Sequence, residues 1–355
     1  MSTSLFNRIV NINNLEKAYR LSRKGKNKFN KEAMIFSQNE TYNLRKLQQE
    51  LLTGNYEFGE YNKFYVYEPK ERLIHAPQYK DKLVQLAVNN VIKHIYQRCF
   101  IYDSYACIDN KGTHKAVDRV SYFMRKANWQ YGKDAFIIKL DIKKFFYSID
   151  RSILKKIIPK RIHCKRTLEL LFDVIDSADR ISPVGLPLGN LLSQLFANVY
   201  MNEFDQYCKR KLSIKYYVRY ADDVIAILPN KEKALEILDL MKVFLKEKLA
   251  LETHDEKTRI FPIRQGVNAY GFKIHKTHRL LRNDSKRKIK RKTKRMRISL
   301  REGRMTKEKC EQILNSWYGH AMHGNSYNFV NRLIERNDYI YRDHKDRLKV
   351  DLNKV

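Results

Sequence analysis

Apolar residues along this chain fall into two kinds of stretch. Short, nearly unbroken apolar runs occur at Ala135–Leu140, Ile214–Val218 and Val224–Leu228, rich in the β-branched and aromatic residues that favour strands. Longer stretches bring an apolar residue back every three or four positions, as an amphipathic helix requires. Tyr42–Leu52 is one, stopped by Gly54. A second starts near Asn190, with Leu192, Phe196, Val199 and Glu203 on the helical period and Leu191 and Leu195 widening the stripe. A third covers Glu232–Leu249, with Leu238, Met241, Leu245 and Leu249 on one side. Residues 1–60 read as helical and basic.

The polar residues that interrupt the strands matter most. Between Ile214–Val218 and Val224–Leu228 stands Tyr220-Ala221-Asp222-Asp223, which reads as the tip of a β-hairpin with acids at the turn. Adjacent carboxylates repel and resist desolvation unless a cation lies between them. A solvated surface turn is the plain alternative. The run Ala135–Leu140 also ends on an acid, Asp141, followed by the aromatic pair Phe145-Phe146. As a helix N-cap, Asp141 would contribute about 1 kcal/mol. Three acids at the ends of separate strands could instead converge on a pair of Mg²⁺ ions, which take hard oxygen ligands and keep places for water and phosphate.

Between these segments Gly185-Leu186-Pro187-Leu188-Gly189 forms a tight loop ahead of the Asn190 helix. It is an ordinary glycine-rich helix entry or a loop whose backbone comes close to a nucleotide, since glycine has no Cβ.

In this order, Lys139-Leu140-Asp141, the Gly185–Gln194 segment and Tyr220-Ala221-Asp222-Asp223 resemble the motifs of a reverse transcriptase. Glu68–Pro77 resembles the basic fingers segment of that family, and Ser104–His114 the stretch before its palm. The resemblance spans roughly residues 15–330. It implies an α+β, right-hand polymerase fold: N-terminal region and fingers over 1–130, palm over 131–276 with a fingers insertion at about 151–185, and a basic helical thumb over 277–355. It further implies that Asp141, Asp222 and Asp223, with the Ile142 carbonyl, hold two Mg²⁺ ions, for which Mn²⁺ can substitute. Lys70 and Arg72 would grip the triphosphate of a deoxynucleotide. Phe146 would lie under the sugar and exclude a 2′-hydroxyl, its alternative being a core aromatic. Leu188, Gly189 and Gln194 would face the nucleotide. Lys257 would protonate the leaving pyrophosphate, unless it is a plain surface lysine, and Gly271-Phe272 would form the primer grip.

Leu188 and Gln194 depart from the Gln and Pro that many of these families carry there. The Leu-Gly-x-x-x-Ser-Gln arrangement resembles the enzymes of diversity-generating retroelements, which copy a template RNA with errors at adenine. An apolar Leu188 removes a polar contact and so part of the penalty for a wrong nucleotide. Defence-associated bacterial reverse transcriptases and group II intron enzymes share parts of the pattern. An RNA-binding, maturase-like module is a further alternative.

Charge agrees with a polynucleotide partner. The 71 Lys and Arg against 39 Asp and Glu leave +32, an excess that draws phosphate backbones. From Arg282 to Arg304 there are twelve Lys or Arg and two acids. This run is a localisation tag, a solvated helix face, or the start of a thumb; its place after the palm favours a thumb. There Lys286, Arg287, Lys288, Lys290, Arg291, Lys294 and Arg295 would lie along template RNA and the primer or cDNA. The expected partners also include a cognate structured non-coding RNA and an accessory protein. With fewer than a hundred residues after the palm, the expectation is that no separate ribonuclease H or endonuclease domain is present. No apolar run reaches membrane-spanning length, Met1–Asn14 lacks a signal pattern, and five scattered cysteines show no zinc spacing, so the expectation is a cytoplasmic protein. In Ser316–Gly324 two histidines stand three apart, and a packed helix junction is expected there.

Overall fold

The computed structural model describes residues 4–24, 30–67, 71–179 and 181–337. Four helices come first: α1 (Leu5–Val10), α2 (Ile12–Ser22), α3 (Lys31–Gln38) and α4 (Glu40–Thr53). Side chains of Ser4, Asn11 and Asn30 cap the first three by accepting backbone N–H groups. Gly54 ends α4 in the left-handed conformation, φ 77°, as its place after the amphipathic stretch predicts. Leu44, Leu47 and Leu51 are the buried stripe of α4.

A hairpin of β1 (Asn62–Val66) and β2 (Arg72–Ala76) follows, antiparallel with Val66 opposite Arg72. Next come α5 (Tyr79–Gln97), α6 (Thr113–Tyr131), β3 (Phe136–Leu140) and the short helices α7 (Phe145–Ser148), α8 (Arg151–Ile157) and α9 (Lys165–Asp176). The helix expected near Asn190 is α10 (Leu191–Gln206); Asn190 is its N-cap, and Leu192, Phe196 and Val199 are buried. Then β4 (Tyr216–Tyr220), β5 (Asp223–Leu228), α11 (Lys231–Leu249) and β6 (Arg259–Pro262) complete a four-stranded sheet of order β4-β5-β3-β6. The last part holds a three-stranded antiparallel sheet, β7 (Val267–Ala269), β8 (Phe272–Ile274) and β9 (Arg279–Leu281), then α12 (Asn283–Arg301), α13 (Lys307–Ala321) and α14 (Tyr327–Glu335).

The chain divides into two units. The first takes residues 1–111, 138–226 and 235–259; the second takes 112–137, 227–234 and 260–355. In the first unit α5 packs on α1, α2 and α10. Strands β3, β4 and β5 are almost wholly buried, as in a sheet covered on both faces. Their ends near Asp141 and Tyr220–Asp223 are half-open, as are Phe136 and Lys139 of β3. In the second unit α6 packs on β8, and Phe272 is fully buried. On α12, Ile289, Thr293 and Met296 are buried at helical spacing. Arg287, Lys288, Lys290, Arg291, Lys294 and Arg295 are exposed, and Lys286 is half-buried. The ammonium groups of Lys286 and Lys290 each sit 5.6 Å from the Phe329 ring. Among the described residues no helix is long and apolar enough to cross a membrane.

Candidate active site

Strands β4 and β5 are joined by a two-residue turn, Ala221-Asp222, which makes the pair antiparallel. Ala221 has φ 54°, a left-handed conformation that costs an L-residue about 1 kcal/mol. The turn is held from beneath. Arg219 Nη1 donates to the Ala221 carbonyl at 3.0 Å and to Asn198 Oδ1 at 3.1 Å. The rest of this guanidinium grips Asp205 on α10, with Nε 2.8 Å from Oδ1 and Nη2 2.7 Å from Oδ2. Both side chains have no solvent exposure, and the Tyr217 hydroxyl adds a bond to Asp205 at 2.7 Å. The backbone of Arg219 also pairs with Asp103 and Tyr105, so part of the Ser104–His114 stretch runs beside β4.

Asp141 leaves the end of β3 and does not cap a helix; α7 starts four residues later. Its carbonyl accepts the His254 N–H at 2.8 Å, and Ile142 bridges to Thr253. Lys257, carried on the turn that follows, places Nζ 3.1 Å from Asp141 Oδ1. The Asp222 carboxyl is pushed up to about 6, first by burial, then by the charge of Asp223, with Asp141 adding to the rise and Lys257 opposing it. Asp222 therefore stands in the field of both other acids.

Such a set fits a divalent cation in kind: hard oxygen donors short of positive charge. Among the described residues no three His, Cys, Asp or Glu side chains are placed to close around an ion unaided. Water, a backbone carbonyl and substrate phosphates would have to complete its shell.

The glycine-rich loop is strapped to the segment after Asp141. Leu186 donates to the Phe146 carbonyl at 2.7 Å, Gly185 to Ile149 at 2.8 Å, and Asp150 bridges to Val184. Phe146 is half-buried and edge-on to the buried Phe145, centroids 5.4 Å apart. The other end of the loop meets β2: His75 donates to the Leu188 carbonyl at 2.8 Å. Gly189, at φ 107°, could not carry a Cβ without approaching Ile74 Cγ2 to 2.8 Å and the His75 oxygen to 3.1 Å. Close approach of a strand thus accounts for this glycine. Leu188 is half-buried, and Gln194 and Arg72 are exposed. Lys70 lies outside the described residues.

Gly271 and Phe272 belong to the second unit, as does α12. Gly271 closes the β7–β8 turn at φ 91°, after Tyr270 at φ 51°. Phe272 lies 4.7 Å from the His320 ring. The two histidines noted near the end of α13 meet a third: His114 stacks on His323 at 3.5 Å and lies 5.6 Å from His320. Burial and the neighbouring histidines hold His114 and His320 below the usual imidazole range.

Sequence patterning did not single out Arg219 or Asp205 as site residues. A signal exists: a charged residue inside an apolar strand must find a buried partner.

The comparisons bear on the family. A model of the family described as reverse transcriptase (RNA-dependent DNA polymerase) matches residues 66–274. Protein YkfC of Escherichia coli strain K12 is 25% identical over 283 residues, covering 68% of this chain and 72% of that protein. The group II intron-encoded protein LtrA of Lactococcus lactis subsp. cremoris is 23% identical over 302 residues, 65% of this chain but only 49% of its own length. A structure of telomerase from Candida albicans in complex with a fragment of telomeric RNA superposes with a TM-score of 0.49 at 12% identity, covering 64% of this chain and 46% of that one. With the family match running over more than half of its length, from the β1–β2 hairpin through the acid-bearing strands to β8, this chain belongs to the reverse transcriptases, the RNA-directed DNA polymerases.

Proposed function

We propose that this chain synthesises cDNA on a structured template RNA by two-metal nucleotidyl transfer with Mg²⁺, at low fidelity. The observation that carries the proposal is the grouping of Asp141, Asp222 and Asp223, in which burial first, and then the charges of Asp223 and Asp141, lift Asp222 to about 6. In this reading the three acids and the Ile142 carbonyl hold the ions. When bound, such ions neutralise phosphate charge and fix the attacking and leaving oxygens in line. Lys257, tethered to Asp141 at 3.1 Å, is within reach to pass a proton to the departing pyrophosphate. Arg72 and Lys70 bind the triphosphate, and Phe146 excludes a 2′-hydroxyl. Gly271-Phe272 grips the primer, and the exposed cations of α12 follow the template–primer backbone. Fingers, palm and thumb are assigned over 1–130, 131–276 and 277–355.

The low-fidelity part rests on Leu188. Its carbonyl is taken by β2 and its side chain is apolar, so it offers no amide to the incoming base. A diversity-generating retroelement in the cytoplasm, with a dedicated RNA and an accessory protein, is the setting this favours. A defence-associated enzyme copying a non-coding RNA is the competing one. The deciding experiment is primer extension on a defined RNA template with Mg²⁺, the products being sequenced. DNA product that disappears with a chelator, with errors concentrated at template adenine, is expected. Leu188→Gln should reduce those errors. An unchanged error spectrum would overturn the role of Leu188, and product made equally well without divalent metal would overturn the two-metal reading.

A further inference from the structure

Helix α6 has two unlike faces. Ala116, Val117, Val120, Phe123, Met124 and Ala127 are buried, and they account for its apolar stripe. The outer face carries Lys115, Arg119, Tyr122, Lys126 and Trp129, spaced by four, three, four and three residues, so all five fall on one line along the helix. Trp129 is 83% exposed and Tyr122 40%. A tryptophan so open is unusual, because its ring is among the most strongly buried on average. The cations are interleaved with the rings. Lys126 Nζ lies between two of them, 5.9 Å from the Tyr122 centroid and 6.0 Å from that of Trp129. The Arg119 guanidinium lies 5.4 Å from Tyr122 and 4.3 Å from Phe123. The neighbouring acid, Asp118, is held by Arg279.

We infer that this face of α6 is a docking track for single-stranded nucleic acid, separate in sequence and unit from the carboxylate cluster. Alternating aromatic rings and cations answer a polymer whose bases are unstacked and whose linkers are phosphates. A protein-binding hot spot would have few charges at its centre, and a membrane-surface helix would present aliphatic bulk beside its cations. Here the aliphatic residues face inward. Tyr122 and Trp129 stand about 10 Å apart along the helix, which suits bases spaced along an extended strand better than a stacked duplex. The inference rests on the polymerase reading for the class of polymer, and on α6 alone for the place.

Trp129 supplies its own reporter, since the chain has two tryptophans. The full-length Trp317→Phe protein, in a chelating buffer, is titrated with a 12-nucleotide single-stranded RNA, a DNA of the same sequence and poly-glutamate. Saturable quenching by RNA or DNA, weakened by salt, is expected, and the tighter of the two shows whether template or product takes the track. Anisotropy with labelled RNA checks it in the otherwise unmodified protein: Trp129→Ala should weaken binding about tenfold. Quenching by poly-glutamate alone, or a Trp129→Ala protein that binds both strands as tightly as the parent, overturns the inference. Primer extension on a short template is run beside these titrations. A parent protein that quenches but extends nothing supports the track and counts against the polymerase reading.

Discussion

Two tight turns in this molecule solve the same backbone problem for opposite ends. Ala221-Asp222 joins β4 to β5, and Tyr270-Gly271 joins β7 to β8; each holds a non-glycine residue at positive φ. At the second, Tyr270 takes the strained place and Gly271 follows it, the strands are three residues long, and Phe272 goes straight into a core beside His320. That turn packs. At the first, an alanine takes the strained place, its carbonyl is pinned by a fully buried arginine, and the neighbouring carboxylates repel each other. Stability is set aside there to hold acids where only a cation relieves them. The comparison teaches that the same left-handed strain can be held in two ways, at Tyr270 by a turn whose next side chain is packed into a core, and at Ala221 by a buried arginine that leaves the neighbouring acids unrelieved.

The sharpest break of that comparison is Asp222→Asn. It should abolish synthesis while RNA binding survives, because one metal ligand is lost and the basic surface is not. Synthesis by a clean Asp222→Asn preparation would remove the metal role. The same variant should stabilise the metal-free protein. A carboxyl raised in the fold from 3.8 to about 6 contributes stability below pH 3.8, and that contribution is lost as pH rises through 6. At pH 7.5 the parent therefore carries an ionised Asp222 at a cost of about 1–2 kcal/mol, after allowance for its partial exposure. Thermal melts in chelator should show Asp222→Asn more stable than the parent at pH 7.5, with the gain shrinking toward pH 4. A gain that does not change with pH would mean that charge is not its source.

Second in size is the support beneath the turn. Arg219→Met leaves Asp205 buried without its cation, which should cost about 3–5 kcal/mol in denaturant melts. Replacing both, as Arg219→Met with Asp205→Leu, should recover much of that stability. It should not recover synthesis, since the Ala221 carbonyl still lacks its donor. A double variant that is both stable and active would show that the buried pair does not aim the turn.

The two turns were unequally legible before the fold was known. Asp222-Asp223 and Asp141 end apolar runs, so their chemistry is written locally. Helix ends were legible too, because Gly54 and Asn190 act on their own helices. Arg219 was legible only by half: a charge inside an apolar strand calls for a buried partner, but nothing local points to Asp205, which stands on a different element. Gly189 looked like a nucleotide-side glycine because β2, the strand it admits, lies over a hundred residues earlier. His114 reaches His323 across a still longer separation, so the helix junction expected near Ser316–Gly324 lacked its third member. The stripe on α6 does have a helical period, but its meaning depends on which face is buried.

Gly271→Ala is the third test, aimed at the packing turn. A Cβ there would come within 2.9 Å of His320 Nε2, and that ring is kept in place by Phe272 and His114. With φ at 91° added, about 1–2 kcal/mol of stability should be lost. A neutral Gly271→Ala would mean that the turn shifts freely, and the contrast between the two hairpins would weaken.

Ala221→Gly should have the smallest effect on stability and says most about why the strain is there. Removing the Cβ relieves about 1 kcal/mol of left-handed strain. Glycine also gives the unfolded chain more freedom, which takes back about 0.4–1 kcal/mol. The two nearly cancel, so melts of parent and variant should coincide. Activity should not. The alanine restricts the turn to the conformation in which Arg219 holds its carbonyl, and a glycine would let the Asp222 carboxylate sample other directions from the same anchor. A severalfold lower kcat at unchanged stability, with RNA affinity intact, is the expected outcome of single-turnover extension. If kcat holds, the positive φ at Ala221 is a by-product of the two-residue turn, and aiming the acids falls to the Asp205–Arg219 pair alone.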